Sequence, residues 1–342
     1  MFPHRIQAPS QADLELQVSA RLEADDQAQV IVQFAKAEQY DGELLSQLDT
    51  LCARFGERLK VRFYSHYPGS AFDARVLLAL PHVQSLSLDC LDSLEHYEAI
   101  GCLHQLKELA LQVIRADLPG LLTLPNLRGL RALRLSLDKG PAIDLAPIAT
   151  MPKLRNLSLS VQTHHLDVLS QCPGITYLDL HRIPAKTPLG MVAGMTGLRR
   201  LSVTFGSREQ MPELRNAYVQ ELAIMRARGL NRLDLEGFPQ LEVLKVEDQA
   251  QLSRLDLGGT PHLRTMSLIN LKALEEISHL KTSNVADLRL IKTPQIDLLN
   301  LIDKQLPPSV QYLKLHTGKR AEDKQIDVRQ QQLGIPEPSG PY

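Results

Sequence analysis

A few residues in this sequence have types and spacings that could support chemistry. Gly190, Gly194 and Gly197 resemble a phosphate-binding loop, but they lack the lysine and the preceding strand of such a loop. Close packing of a short helix explains these glycines better. The adjacent His164 and His165 could bind a metal ion, yet neighbouring residues of a strand or loop seldom point at one ion. A solvated turn is therefore the favoured interpretation of the two histidines.

Nucleophilic catalysis has one further candidate, Cys90, which follows a predicted strand end. No clear base accompanies it, so a buried or half-buried thiol is favoured. The sequence also lacks G-x-x-x-x-G-K-[ST], H-E-x-x-H and G-x-S-x-G, and it has no cluster of Cys and His ligands. We therefore predict no catalytic residue, no metal site and no cofactor. An activity that depended on His181 or Cys90 would contradict this prediction.

Composition narrows the classes of protein further. The 342 residues carry a net charge of −1, which offers no bulk field to attract nucleic acid or an anionic membrane. No apolar run is long enough to span a membrane, and the first residues lack the apolar core of a secretory signal. Four scattered cysteines without C-x-x-C spacing indicate reduced thiols, so a cytoplasmic protein is expected.

A repeating pattern organises most of the chain. L-x-x-L-x-L begins at Leu241, Leu263 and Val285, in two steps of 22 residues, and another copy begins midway at Leu252. A fixed period in this range indicates a solenoid. The fourth and sixth residues of each copy point the same way along a strand, so they are predicted to be buried while their neighbours face outward. A low aromatic content, 4% of the residues, fits a thin aliphatic core.

The repeated motif resembles that of the leucine-rich repeat superfamily, and the LDLGGTP half-turn resembles the doubled leucine pattern of some bacterial short-repeat members. The resemblance implies an α/β leucine-rich repeat solenoid, with a curved parallel β-sheet on the concave face and short helices or extended segments on the convex face. One common family feature is missing, the asparagine or cysteine three residues after the last strand leucine. In the family these side chains form a ladder that bonds to the backbone of the turns. Here the backbone N–H and C=O groups of the turns must find other hydrogen-bond partners.

Eleven strands follow from the pattern, at 83–88, 106–111, 130–135, 154–159, 175–180, 198–203, 219–224, 241–246, 263–268, 285–290 and 310–315. Leu127 could replace Leu130 as a strand start, but that slip would expose Leu133 and Leu135. Val219 is chosen as a strand start because it restores the period. The returning side is predicted as helical turns at 144–149, 166–170 and 189–195, and as extended half-turns at 230–235 and 252–257.

Four segments are predicted: a polar leader over 1–28, an N-terminal α/β cap over 29–82, the solenoid over 83–315, and a C-terminal capping segment with a mobile tail over 316–342. The leader is expected to be loose or partly helical. In the cap, Asp41 is predicted to start a helix that stops at Gly56, and Ser70 to start a second helix containing Phe72. Four apolar tail residues could fold over the open end of the solenoid: Ile326, Val328, Leu333 and Ile335.

The outward residues of the strands should form columns along the sheet, and a long concave surface of this kind favours binding. Two patches contain the residue types that anchor protein interfaces. The predicted partner-binding residues are Arg134, Asn156, Tyr177, Asp179, His181 and Arg200 in the central patch, and Lys245, Arg289 and Tyr312 in the second patch. Alternatively the face is only solvated, and its charges pair across neighbouring strands, such as Asp287 with Arg289 or Lys245.

These observations predict a non-catalytic protein–protein interaction module that holds a partner protein on its concave face, as a bacterial immunity or regulatory protein. A basic line along one rim favours an acidic partner over nucleic acid: Lys107, Arg131, Arg155, Arg199 and Arg264. The alternative is a secreted effector delivered into host cells, with the repeats as its targeting surface. No nucleic-acid or membrane partner is expected, and the chain is expected to be a monomer or a weak oligomer.

Overall fold

The computed structural model describes residues 3–65, 71–160 and 162–340, apart from the side chain of Cys90. The chain forms two compact units, Met1–Val168 (unit 1) and Leu169–Tyr342 (unit 2). Each unit carries parallel strands built from the predicted repeats, with short helical or extended segments on the returning side. The predicted fold class, an α/β leucine-rich repeat solenoid, is confirmed. The four segment boundaries drawn from the sequence stay predictions.

In its described residues, unit 1 contains ten strands. They are β1 (His4–Gln7), β2 (Val30–Phe34), β3 (Leu59–Tyr64), β4 (Phe72–Asp73), β5 (Ser85–Glu95), β6 (Glu108–Arg115), β7 (Ala132–Lys139), β8 (Ile143–Asp144), β9 (Asn156–Ser160) and β10 (Thr163–His164). The sheet has the parallel order β1-β2-β3-β5-β6-β7-β9. Strand β4 pairs with the far end of β5, and β8 pairs with β10. Strands that follow one another along the chain are thus neighbours in space, as stacked coils require.

The first residues of unit 1 are more ordered than the sequence indicates. Strand β1 pairs with β2, from His4 opposite Val30 onward. Helical segments follow at Gln11–Asp13, Leu14–Ser19 and Ala20–Ala24, the middle one a π-helix. Leu14, Val18 and Leu22 are fully buried. The expectation of a partly helical segment holds, but the spacing of these three apolar residues was too short a pattern to show that the segment packs against the core.

The first cap helix forms as predicted. It spans Gly42–Phe55, and the Asp41 carboxylate accepts the Leu44 N–H at 2.8 Å, which satisfies one of the unpaired donors at the helix start. Gly56 ends it with φ +59°, a left-handed conformation that glycine adopts readily.

The prediction of a second cap helix is wrong in both the position and the type of the helix. Ser70 lies outside the described residues. Phe72 is in strand β4, and Asp73 caps a 3₁₀ helix over Ala74–Ala79 by accepting the Arg75 N–H at 3.0 Å. The short Phe72–Asp73 pairing with Leu94 and Glu95 of β5 takes residues that helical periodicity alone would have assigned to a helix.

Unit 2 contains nine strands among its described residues. They are β11 (Tyr177–His181), β12 (Arg200–Ser207), β13 (Glu221–Arg228), β14 (Val243–Glu247), β15 (Arg254–Asp256), β16 (Thr265–Ile269), β17 (Glu276–Ser278), β18 (Asp287–Ile291) and β19 (Tyr312–His316). The sheet has the parallel order β11-β12-β13-β14-β16-β18-β19, and β15 pairs with β17 on the returning side. All eleven predicted repeat strands of the chain are therefore present, starting about two residues later than predicted.

The core confirms the predicted register. In unit 2, Leu244, Met266 and Leu288 are paired neighbours on β14, β16 and β18, and all three are 0% exposed. Val219 is likewise fully buried, just before β13. Each fully buried aliphatic side chain of this size contributes about 1.5–3 kcal/mol. Stacking one such residue per coil in several columns stabilises the fold without a thick core.

The choice between Leu127 and Leu130 is also settled. Leu133 and Leu135 point inward on β7, 2% and 0% exposed, as the Leu130 register requires. Leu127 is buried too, because it lies in a 3₁₀ helix over Pro125–Gly129 that precedes the strand.

The returning side consists mostly of 3₁₀ helices. They span Ala37–Gln39, Gly56–Arg58, Ala74–Ala79, Tyr97–Cys102, Leu121–Thr123, Pro125–Gly129, Ala146–Thr150, Leu166–Gln171, Gly190–Gly194 and Leu280–Thr282. The helical turns predicted near 144–149, 166–170 and 189–195 are confirmed. Of the two predicted extended half-turns, 252–257 contains β15, whereas 230–235 lies outside any strand.

Two asparagines satisfy turns that lack the usual ladder. The Asn216 amide donates to the Val192 and Met195 carbonyls at 2.7 and 3.0 Å, and its carbonyl accepts the Val219 N–H at 3.1 Å. In unit 1 the Asn126 amide donates to the Ile100 and Leu103 carbonyls. Each asparagine thus bonds to the coil before it. The asparagine that bonds to the turn is thus present in the sequence, but it precedes the strand, whereas the family pattern places it after the strand.

The opposite strand ends turn through left-handed residues. Six successive coils of unit 2 place a non-glycine residue with φ between 50° and 56° directly after the fifth residue of the repeat strand: Arg182, Phe205, Arg226, Asp248, Asn270 and Lys292. Phe205 and Arg226 lie inside β12 and β13, whose pairing resumes at the following residue, and the other four follow the end of their strands. Four of them still donate their N–H to the next coil, for example Asn270 to the Ile291 carbonyl at 2.7 Å. The left-handed residue lets the chain leave the sheet sharply while the ladder remains bonded.

Two α-helices lie near the end of unit 2, at Leu298–Lys304 and Arg320–Leu333. Ile326 is 1% exposed, as predicted, but Val328 and Leu333 are each 52% exposed, so the prediction that they fold inward is wrong. A helix presents only one face to its neighbour, and Ile326 occupies it. The chain then covers the outer edge of β19, where the Leu313 N–H donates to the Pro336 carbonyl at 3.0 Å.

Candidate binding surface

The sheet face of each unit is formed by the outward residues of its strands. In unit 2, strand pairing places Tyr177 opposite Arg200, and His181 opposite Thr204. The same register continues to Tyr312, which lies opposite Asp287. The outward columns deduced from the repeat are therefore present in the structure.

The predicted central patch is divided between the two units. Arg134 and Asn156 are exposed on strands β7 and β9 of unit 1, where Asn156 lies opposite Ala132 and Arg134 opposite Ser158. Tyr177, Asp179, His181 and Arg200 belong to unit 2. The structure thus brings together two groups, each on its own sheet face.

Small residues dominate the repeat strands on the unit 1 sheet face: Ser85, Ser87, Ala110, Ala132, Ser136, Ser158 and Ser160. Ser85 donates to Glu108 at 2.8 Å, and Lys60 forms an ion pair with the same carboxylate at 3.1 Å. These polar groups already bond within the sheet face.

A polar network at the cap end of the same face was missed in the sequence analysis. The Arg62 guanidinium donates to both Asp89 carboxylate oxygens at 2.8–3.1 Å and to Gln33 Oε1 at 2.8 Å. Gln33 Nε2 and the Tyr64 hydroxyl donate to Gln7 Oε1 at 2.8 and 2.6 Å. Arg62 and Asp89 side chains are only 21% and 18% exposed. The alternation of Leu59, Val61 and Phe63 predicts a strand with Arg62 outward, and the strands over 29–35 and 59–63 are predicted to continue the parallel stack, but β1 was not predicted and the alternation does not show which side chains of neighbouring strands bond to Arg62.

Arginine–aromatic stacking characterises the first strands of unit 2. The Arg200 guanidinium carbon lies 5.3 Å from the Tyr177 ring centroid. The His181 and Phe205 rings are 4.8 Å apart, and Arg226 lies 5.2 Å from the Phe205 ring. Such contacts hold large side chains in place at the surface. Phe205 and Arg226 were missed because they are left-handed turn residues just beyond the strand columns.

The second predicted patch contains preformed ion pairs. Lys245 bonds to Glu221 at 3.1 Å, and Arg289 bonds to Asp287 at 2.9 Å on the same strand. The alternative that charges of this face pair with one another is therefore right for Asp287 with Arg289, although both lie on one strand. The named pairing of Asp287 with Lys245 is wrong, because Lys245 bonds to Glu221 on the neighbouring strand. Arg289 is 8% exposed and Tyr312 is 43% exposed. Of the three predicted residues, Tyr312 presents the most surface.

Apolar side chains lie among these charges. Met225, Val243 and Ile269 are half-buried on β13, β14 and β16, and Ile291 is 9% exposed on β18. Because the ion pairs are already formed, a partner covering this area would not need to break them. Burial of the apolar area would then be the main gain.

Most of the candidate residues for chemistry have structural explanations, but the packing explanation is wrong for Gly190, because a Cβ there would meet nothing within 4 Å. A Cβ at Gly194 would lie 2.9 Å from the Ser170 Cβ, and one at Gly197 would collide with the Pro173 carbonyl oxygen, so close packing requires both glycines. The His164 and His165 rings are 6.4 Å apart, and His165 Nδ1 bonds to Asp144 at 2.7 Å. Within the described ranges no group of three or more His, Cys, Asp or Glu residues is arranged to hold a metal ion.

The surroundings of the three described thiols do not favour a nucleophilic thiolate. Burial raises the pKa of Cys52, Cys102 and Cys172. The candidate Cys90 side chain lies outside the described part of the chain. No helix among the described residues is long and apolar enough to cross a lipid bilayer.

Histidine–aspartate pairs recur on the returning side. His96, His165 and His279 each have a left-handed backbone before a 3₁₀ helix, and each bonds through Nδ1 to an aspartate of the preceding coil. A hydrogen bond to Asp144 raises the pKa of His165. Bonds from the Ala146 N–H and from His165 lower the pKa of Asp144. These pairs link one coil to the next and lie away from the sheet face.

No protein-family model matches the sequence, and no curated protein matches it either. Solved structures do. An internalin from Listeria monocytogenes has a TM-score of 0.50 and 17% identity, covering 85% of this chain and 81% of that one. The Toll–Spatzle complex of Drosophila has a TM-score of 0.52 and 16% identity, and the match covers 84% of this chain and 46% of that one. This chain therefore spans about half the length of the matched Toll–Spatzle chain. A leucine-rich repeat protein of Leptospira interrogans has a TM-score of 0.45 and 14% identity, and the match covers 92% of this chain and 90% of that one.

At these identities the likeness shows the fold alone. The chain has the leucine-rich repeat fold of these neighbours, with a parallel sheet as its principal surface. Proteins of this fold typically act as protein–protein interaction domains.

Proposed function

We propose that this chain is a non-catalytic protein–protein interaction module that binds a partner protein on the unit 2 sheet face, the concave side of a leucine-rich repeat coil. One observation carries the proposal: half-buried Met225, Val243 and Ile269 lie beside ion pairs that are already formed. Stacked Tyr177 and Arg200 lie on the same face. Apolar area flanked by tyrosine and arginine is the composition of an interface centre.

We further propose an immunity or regulatory role, in which binding masks a toxin or an enzyme, in the cytoplasm. Buried thiols such as Cys52 support a reducing compartment. The Toll–Spatzle neighbour is itself a complex, which supports a protein partner for this chain.

Co-purification from native cells with mass spectrometry tests the proposal. Met225→Asp with Ile269→Asp should abolish capture of the partner, because two carboxylates would replace apolar contact area. The matched control, Gln251→Asp with Lys281→Asp, places two carboxylates at exposed positions of the returning side and should leave capture unchanged. Circular dichroism must show that both variants are folded. Equal capture by both would refute the assignment of this face.

A further inference from the structure

Unit 2 contains a locally basic stretch within a nearly neutral protein. Residues 177–232 include nine Lys and Arg against four Asp and Glu, an excess of five positive charges. The other residues of the chain include 29 basic and 35 acidic side chains. This stretch spans β11 to β13, so the excess coincides with the stacked arginines of the sheet face. A local excess of one sign attracts a partner of the other sign and raises the rate of encounter.

Two consecutive arginines at the start of β12 are held by tyrosines on either side. Arg200 stacks on Tyr177 of the preceding coil, and the Arg199 guanidinium carbon lies 5.7 Å from the ring centroid of Tyr218 in the next coil. Tyr218 is 44% exposed. We call these four residues the Arg–Tyr cluster. The ring contact holds each guanidinium in place, and N–H groups that make no bond within the protein can donate to a ligand; in Arg199 these are the groups other than Nη1.

Within the part of the chain that the structure describes, no carboxylate neutralises either guanidinium of the Arg–Tyr cluster. Arg199 donates to the Thr196 and Leu198 carbonyls at 3.1 and 2.9 Å, and among the described residues neither Arg199 nor Arg200 has a carboxylate within ion-pair distance. The acidic residue paired with Arg200 in the sheet register is Glu221, whose carboxylate bonds to Lys245 instead. Two preordered cations thus remain at one edge of the proposed binding face.

We infer that the partner presents a carboxylate-rich segment that crosses the start of β12 and bonds to Arg199 and Arg200. This inference rests on the proposed function and adds the chemistry of the partner. Glutamate and aspartate match the bidentate geometry of guanidinium. Single-stranded nucleic acid fits less well, because an arginine already lies over one face of each tyrosine and leaves less ring area for bases to stack on.

Fluorescence anisotropy with the full chain and a labelled Glu-Gly repeat peptide tests the inference, with Gln-Gly and oligothymidylate probes of equal length beside it. The acidic peptide should bind saturably at low salt and weaken as salt rises. Arg199→Gln with Arg200→Gln should reduce its affinity about tenfold. The matched control, Arg254→Gln with Arg329→Gln, removes two exposed arginines elsewhere in unit 2 and should change the affinity less than about twofold.

Three results would overturn the inference: no saturable binding of the acidic peptide, equal losses in the two double variants, or tighter binding of oligothymidylate than of the peptide. Melting curves should show both variants to be folded. The proposed function has a separate test in the Met225 and Ile269 variant. If that variant loses a captured partner while Arg199→Gln with Arg200→Gln retains it, the face is right and the acidic segment is wrong.

Discussion

The two units close their coils with the same elements, yet their sheet faces differ. Both use buried leucine columns and an asparagine that bonds to the preceding coil, Asn126 in unit 1 and Asn216 in unit 2. On the unit 1 face, Arg62 forms charge-assisted hydrogen bonds to Asp89 and Gln33. On the unit 2 face, Arg200 rests on an aromatic ring without a carboxylate partner among the described residues.

The difference shows that an outward arginine in a repeat can have opposite uses. A guanidinium whose donors are filled internally stabilises the sheet and has little left to offer a ligand. One that is only stacked contributes little to stability but keeps its donors for a partner. Stability and binding should therefore respond to mutation in opposite ways on the two faces.

The largest loss of stability is expected at the asparagine that bonds to the preceding coil, which each unit contains. Asn216→Ala should lower the free energy of unfolding by about 3 kcal/mol, because buried carbonyls and N–H groups lose their partners. Asn126→Ala should cost less, since Asn126 is half-buried and its own carbonyl has no hydrogen-bond partner in the described structure. Urea denaturation followed by circular dichroism measures both. A larger loss for Asn126→Ala than for Asn216→Ala would contradict this ranking.

The second-largest loss of stability is expected from replacing Arg62. Arg62→Met removes the cation that bonds to Asp89 and Gln33, and the free energy of unfolding should fall by about 2–3 kcal/mol. Arg75→Met is the control, because its ion pair with Asp73 is exposed and its loss should change stability little. Hydrogen exchange should show the loss at β2, β3 and β5. Equal stability of the two variants would mean that the Arg62 network contributes nothing.

The pH dependence of stability should reveal the His165–Asp144 pair. The raised pKa of His165 gives a contribution that is complete below 6.5 and is lost as the pH rises through the raised value. The lowered pKa of Asp144 gives a contribution that is complete above 3.8 and is lost as the pH falls through the lowered value. The pair should therefore stabilise the fold most between these two limits.

His165→Asn removes the titration and retains a residue that tolerates the left-handed backbone. The difference in unfolding free energy between the wild type and this variant should shrink as the pH rises above 6.5. A difference that stays constant across that range would show that the ion pair has no linked proton.

The smallest effect on stability is expected at Arg200. Arg200→Met should change the free energy of unfolding by less than about 0.5 kcal/mol, because an exposed cation–aromatic contact contributes little. Denaturation of this variant beside Arg62→Met compares the two faces directly. If Arg200→Met is as destabilising as Arg62→Met, the contrast between the faces fails.

The sequence alone determined the repeat, its register and its outward columns. Leucines at a period near 22 residues must be buried in stacked coils, so Leu244, Met266 and Leu288 could be aligned before any coordinates. Asp41 likewise predicted its helix start, because a cap depends on residues a few positions apart.

Only the tertiary structure decided how side chains from different coils meet. The Gln7–Gln33–Arg62–Asp89 network joins residues up to 82 positions apart, and the strands β1 to β3 that carry it show no leucine repeat. Phe205 has a left-handed backbone and contacts His181, Arg226 contacts Phe205 in turn, and Arg199 and Arg200 extend toward different tyrosines. A one-dimensional period fixes which residues face outward, but the partner of each depends on side-chain reach across coils, which the period does not encode.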